Sequence, residues 1–161
     1  MVGRLDSKAR RLIRCLKKLR APTDFIRIVK TVHKQQLVPQ GISLVDFFEG
    51  IGEPKQAARR RGRLAVGFDY KNDPILQNMG GDAGFVTAVC LICGVEGGGQ
   101  SSVGTPCNSF VFMSSSLNAR SWVNPTGDKR YKFVSNGNLV VYRMVSRIMP
   151  RIVLNKITRI D

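Results

Sequence analysis

Phe85-Val86-Thr87-Ala88-Val89-Cys90-Leu91-Ile92-Cys93 is a run of nine residues with one polar member, Thr87. Whether it forms a strand or a helix sets the architecture of everything around it. A continuous apolar run of this length suits a strand buried on both faces and is short for a core helix. Upstream, Gly80-Gly81-Asp82 and Asn72-Asp73-Pro74 carry turn chemistry. Before them, Leu64 to Tyr70 sets Leu64, Val66, Phe68 and Tyr70 against smaller or polar neighbours, the alternation of a strand.

Downstream, Gly94 to Pro106 holds five glycines and predicts a loop. It lacks the Gly-Lys-Ser/Thr ending of a phosphate-binding loop. Phe110 to Met113, Tyr131 to Val134, Leu139 to Val145 and Ile152 to Ile157 are apolar enough for further strands. Ser135-Asn136-Gly137-Asn138 predicts a hairpin between two of them, because Asn-Gly accepts the positive φ of a tight turn. Residues 64–161 are therefore expected to form a β-rich, mainly antiparallel body.

The first 63 residues read as helices. Leu5, Ala9, Leu12, Ile13, Leu16 and Leu19 form one stripe of a 3.6-residue period, ended by Ala21-Pro22. The opposite face carries Lys8, Arg10, Arg11, Arg14, Lys17, Lys18 and Arg20. Thr23 is placed to cap a second helix with the stripe Phe25, Ile28, Val29 and Val32. Ser43 and Asp46 resemble a capping box opening a short helix from Leu44 to Glu49, closed by Gly50 and Gly52. Pro54 suits the first turn of a last helix that runs into Arg59-Arg60-Arg61 and ends at Gly62. The expected class is α+β: a basic helical region, 1–63, followed by the body, 64–161.

Charge points to the partner. Residues 1–63 hold sixteen Lys and Arg against five acids, a net of +11 within a chain total of +15. Charge of one sign stored in one third of a chain repels itself unless a polyanion neutralises it. The first helix and the cluster Arg59, Arg60, Arg61 and Arg63 are the candidate nucleic-acid-binding residues, since guanidinium forks pair with phosphate oxygens and stay charged. The same cluster has the composition of a nuclear-entry signal. A basic amphipathic helix also suits an anionic membrane surface, though its apolar face here has no aromatic residue. Tyr131 and Phe133 among Lys129, Arg130 and Lys132 have the texture of a base-stacking strand, and equally of a strand with aromatics inside and cations outside.

Catalytic and metal chemistry are sparse in the sequence. His33 is the only histidine, and the acids of the second part are scattered. Cys90 and Cys93 have the spacing of half a zinc site with Cys107 as a third ligand, but they lie inside the apolar run, where cysteine serves as a small buried hydrophobe. No cofactor and no metal are expected. The chain is expected to sit in a reducing, intracellular compartment, because four cysteines this unevenly spread make no disulfide framework.

A cationic arm joined to a compact β-rich body resembles the layout of small RNA-virus coat or nucleocapsid proteins. The resemblance is one of layout and rests on no motif. It implies a non-enzymatic structural protein, present in the virion, that binds RNA ahead of DNA and assembles as a homo-oligomer. A viral matrix-type protein, a movement or silencing-suppressor protein and a membrane-peripheral adaptor are the alternatives.

Overall fold

The computed structural model describes residues 5–18, 20–104, 119–121 and 123–145. Among these residues the order of elements is α1 (Ser7–Lys18), α2 (Thr23–Lys34), β1 (Ile42–Phe47), α3 (Glu53–Arg60), β2 (Ala65–Phe68), α4 (Asp82–Gly94), β3 (Val95–Val103) and α5 (Lys132–Arg143). The strands form one sheet in the order β2-β1-β3, and both pairings are parallel. Parallel neighbours need a crossover, and α3 and α4 supply the two. Because β2 and β3 flank β1 on opposite sides, two right-handed crossovers place α3 and α4 on opposite faces of the sheet. The packing agrees: α3 meets β1 and β2, α4 meets β1 and β3, α2 rests on α4, and α1 on α2.

The expected mixture of helices and strands is present, but the mainly antiparallel body is not. The run from Phe85 to Cys93 is α4, a helix. Besides Gly84 and Gly94, its buried positions are Phe85, Ala88, Val89, Ile92 and Cys93, at spacings of 3, 1, 3 and 1, so one side forms a full helical stripe. Val86, Cys90 and Leu91 on the other positions still pack against the core. A helix held between a sheet and a second helix layer is apolar nearly all round, which hides its period. Two glycines let it approach closely. A Cβ on Gly84 would run into the Asn78 backbone, and one on Gly94 into the Pro39 carbonyl.

Three further expectations are corrected. The glycine-rich stretch after Gly94 forms β3 over Val95–Val103: Val95 and Gln100 to Val103 pair with β1, and Gly97 to Gly99 take up the register shift between them. Leu44 to Glu49 is not a helix: Ile42–Phe47 is the central strand, with five of its six residues buried. Tyr131 to Val134 and Leu139 to Val145 are not strands joined by an Asn-Gly hairpin. Lys132–Arg143 is helix α5, carrying Asn136-Gly137 in its middle. It is held by packing: Val134 and Met144 are buried, and Arg143 donates to the carbonyls of Met79 and Gly81, both at 2.9 Å, and pairs with Asp82. Tertiary contacts override local propensity there.

The strand expected from Leu64 is present, shortened to Ala65–Phe68. Both N-terminal helices are present, although Pro22 rather than Thr23 stands at the cap of α2. The stripe of α1 is core: Ala9, Leu12, Ile13 and Leu16 are buried, and Leu12, Ile13 and Leu16 cluster with Phe25, Val29, Phe47, Phe68 and Ile92. The central strand β1 lies between β2 and β3, so the sheet draws on both sides of residue 63. The expected strands Phe110 to Met113 and Ile152 to Ile157, and Cys107, lie outside the described residues.

Candidate functional site at the carboxyl end of the sheet

In an open parallel sheet, ligands bind outside the carboxyl ends of the strands, where neighbouring crossovers leave in opposite directions. Here that point lies beyond β1, whose crossover goes one way while β3 arrives from the other side. The chain leaves β1 through Phe48-Glu49-Gly50-Ile51-Gly52 before α3 begins. This turn is strongly left-handed: Phe48, Gly50 and Gly52 have φ of +57°, +55° and +71°. Gly50 and Gly52 adopt that region freely, whereas Phe48 is strained in it. Strain of this kind persists where the surroundings over-determine it, and it concentrates at functional turns.

The parallel pairing of β1 with β2 brings a second group to the same end. Asp69 directly follows β2, nineteen residues after Gly50. One oxygen of its carboxylate accepts from the Gly50 N–H at 3.1 Å, and the other accepts from the Lys71 N–H at 3.0 Å. The Asp69 N–H donates to the Gln77 side chain at 2.9 Å. The turn after β1 and the loop after β2 are thus tied at a carboxylate. A carboxylate has about four acceptor positions, so hydroxyl groups of a ligand can be added to these two bonds.

Glu49 supports the turn. Its side chain is 5 % exposed, pairs with Lys55 of α3, and accepts from the Asn72 amide at 2.5 Å. It lies across Gly67, where a Cβ would strike the carboxylate, so that glycine makes room for it. Asp46 is 2 % exposed, the only buried charged residue among those described. Its carboxylate faces the start of α3 and accepts from the Lys55 N–H at 3.4 Å. The sequence suggested Asp46 as part of a capping box for its own helix; instead it serves α3 from a strand.

These acids, scattered along the chain, meet through the fold. Sequence reasoning missed Gly50, Gly52 and Asp69 as a set, because Gly50 and Gly52 were assigned to the end of a helix. The available signal was an apolar run, then Gly-x-Gly, then a helix, a short strand and an acid about twenty residues on. Among the described residues no group of three or more His, Cys, Asp and Glu side chains could hold a metal ion. Cys93 is in the core and Cys90 is half-buried, and burial pushes the Cys90 thiol up.

The cationic residues separate into two groups. Arg10, Arg11, Arg14, Lys17 and Lys18 are exposed on α1, and Arg20 is exposed just after it. Lys8 belongs to α1, but its side chain is outside the described residues. An open groove of about 560 Å³ between α1 and α2 is flanked by Arg10, Arg14 and Lys30. Arg59, Arg60, Arg61 and Arg63 lie at and beyond the end of α3, on the other side of the sheet. Arg59 is committed to structure, with Nε and Nη2 donating to the Ala65 carbonyl at 3.1 and 2.9 Å. Arg61 and Arg63 edge a cavity beside β3. Tyr131 and Phe133, at the start of α5, are exposed with ring centroids 6.0 Å apart.

The site and fold describe a parallel α/β arrangement with a glycine turn after the first strand and an acid after the second. The chain matches no protein-family model, no curated protein and no solved structure.

Proposed function

We propose that the chain binds a nucleoside-bearing ligand at the carboxyl ends of β1 and β2, with Asp69 accepting from the ribose hydroxyls. The observation that supports this is the bond between Asp69 and the Gly50 N–H, which joins the glycine turn to the acid at the switch point of a parallel sheet.

Charge narrows the ligand. A pyrophosphate would sit at the N-terminus of α3, attracted by its free N–H groups and dipole. That end already faces the Asp46 carboxylate, begins with Glu53, and has Pro54, which lacks an N–H. The third glycine of a dinucleotide-binding turn is replaced by Lys55. Glu49 is already neutralised by Lys55, so Asp69 is the carboxylate left to face a ligand, and it favours a nucleoside that carries positive charge. S-adenosylmethionine, with its sulfonium and ammonium groups, is such a ligand, and NAD is the phosphate-bearing counterpart. Calorimetric titration with both tests the reading: S-adenosylmethionine should bind at least about tenfold more tightly, the effect of roughly one charge-assisted contact. Equal affinity for both, or none for either, would refute it.

A second reading concerns the macromolecular partner. With the apolar stripe of α1 in the core, its cations face solvent around the groove with Lys30. That supports a polyanion on this face, and nucleic acid is the proposed one. The likeness to coat proteins drew on a β-rich body; with the body corrected, its remaining support is the cationic surface.

A further inference from the structure

On the α3 side of the sheet, the crossover helix covers β1 and β2 but leaves β3 beside a cavity. The space is about 550 Å³, within the range of small-molecule sites. Ala57 and Ala58 of α3 form one wall, Ser101 and Ser102 of β3 another, and Arg61 and Arg63 edge it. The two arginines are placed by the end of α3. The Gly62 N–H donates to the Arg59 carbonyl at 2.9 Å and the Arg63 N–H to the Ala58 carbonyl at 3.1 Å. Gly62 takes a φ of +69° between them. This helix-ending motif turns the backbone back over α3, so residues on both sides of Gly62 reach the same space.

We infer that this cavity binds a phosphate group, with the guanidiniums of Arg61 and Arg63 on its charge and the hydroxyl of Ser102, which shares the α3 side of the sheet with its strand partner Asp46, donating to its oxygens. Guanidinium pairs with phosphate through two parallel bonds, and small residues on the walls leave room for what the phosphate is attached to. The Ser102 hydroxyl gives the cavity a polar wall beside its positive edge. Its cations follow the C-terminal end of α3, whereas the acids of the sheet-end turn stand at the N-terminal end: this site takes an anion, and that one a cation. It therefore stands or falls apart from the nucleoside reading.

The phosphate has two sources, a small phosphorylated molecule or a polynucleotide backbone. Two probes separate them: ribose 5-phosphate, followed by its phosphorus resonance, and a fluorescein-labelled single-stranded 12-mer, followed by anisotropy. Two variants test the site. Arg61→Ala with Arg63→Ala removes the cations; Ala57→Trp fills the cavity at unchanged net charge. At least one probe should bind the parent protein, and both variants should weaken it by about tenfold or more, the loss expected of a charge-assisted contact. Weakening confined to ribose 5-phosphate assigns a small ligand, and weakening of the 12-mer assigns the backbone. Melting curves confirm that each variant is folded, and Ala57→Ser provides a substitution that leaves the cavity open and should bind as the parent does. The inference is overturned if neither probe binds, or if Ala57→Trp binds both as the parent does.

Discussion

The N–H of Gly50 donates to the Asp69 carboxylate at 3.1 Å, joining the turn after the central strand to the loop after its neighbour. The bond spans nineteen residues of sequence and one crossover helix. It makes the position of the proposed ribose-binding acid a consequence of the parallel pairing of β1 with β2.

Asp69→Ala should weaken binding of S-adenosylmethionine by about tenfold or more, because a hydrogen bond to a charged group contributes roughly 1.5–3 kcal/mol. Asp69→Asn retains an acceptor and should lose less. Calorimetry on the parent and both variants reads the difference, and equal affinities in all three would remove Asp69 from the site.

Leu16→Ala should cost about 2–5 kcal/mol of stability, since the side chain is fully buried. Arg14→Gln on the exposed face of the same helix should change stability by less than about 0.5 kcal/mol. Urea unfolding of the two variants tests whether α1 belongs to the core. A small effect of Leu16→Ala would make the helix a separable arm.

The arginine run should divide. Arg59→Gln removes two donors to the Ala65 carbonyl and should destabilise by about 1 kcal/mol, whereas exposed Arg60→Gln should be nearly neutral. Thermal melts of the two single variants compare them directly, and equal melting temperatures would contradict the structural role of Arg59.

Binding of nucleic acid through the α1 face should depend steeply on salt. If about six phosphates are contacted, raising salt from about 50 to 200 mM should weaken binding by roughly a thousandfold. Arg10→Gln with Arg14→Gln should reduce that slope by about two contacts. Anisotropy titrations at several salt concentrations supply the slopes, and an unchanged slope would exclude this face.

The helices α1 and α2 were legible in the sequence because their apolar and polar faces differ, and α3 because Pro54 opens it and Gly62 ends it. Leu12 and Leu16 against Arg10, Arg14 and Lys17 leave one reading. Helix α4 was not, since burial on several sides removes that contrast, although the spacing of Phe85, Ala88, Val89, Ile92 and Cys93 preserves the helical period. Strand β1 was mistaken because Ser43 and Asp46 imitate a capping box. Strand β3 was hidden because Gly97 to Gly99 interrupt it as a register shift, while its pairing with Leu44 to Phe47 comes from Gln100 to Val103. The cationic candidates could be read residue by residue, but their division between two faces follows from the crossover directions. The sheet-end site was illegible for the same reason: Gly50 and Asp69 meet only through the parallel pairing of β1 with β2.

The most direct test of the nucleoside site is a map of backbone amide shifts during titration with S-adenosylmethionine. The account predicts saturable shifts concentrated at Gly50, Gly52, Asp69 and Lys71, with little change on α1 or at Ser101 and Ser102. Shifts confined to those other positions, or no saturable shift at millimolar ligand, would contradict it.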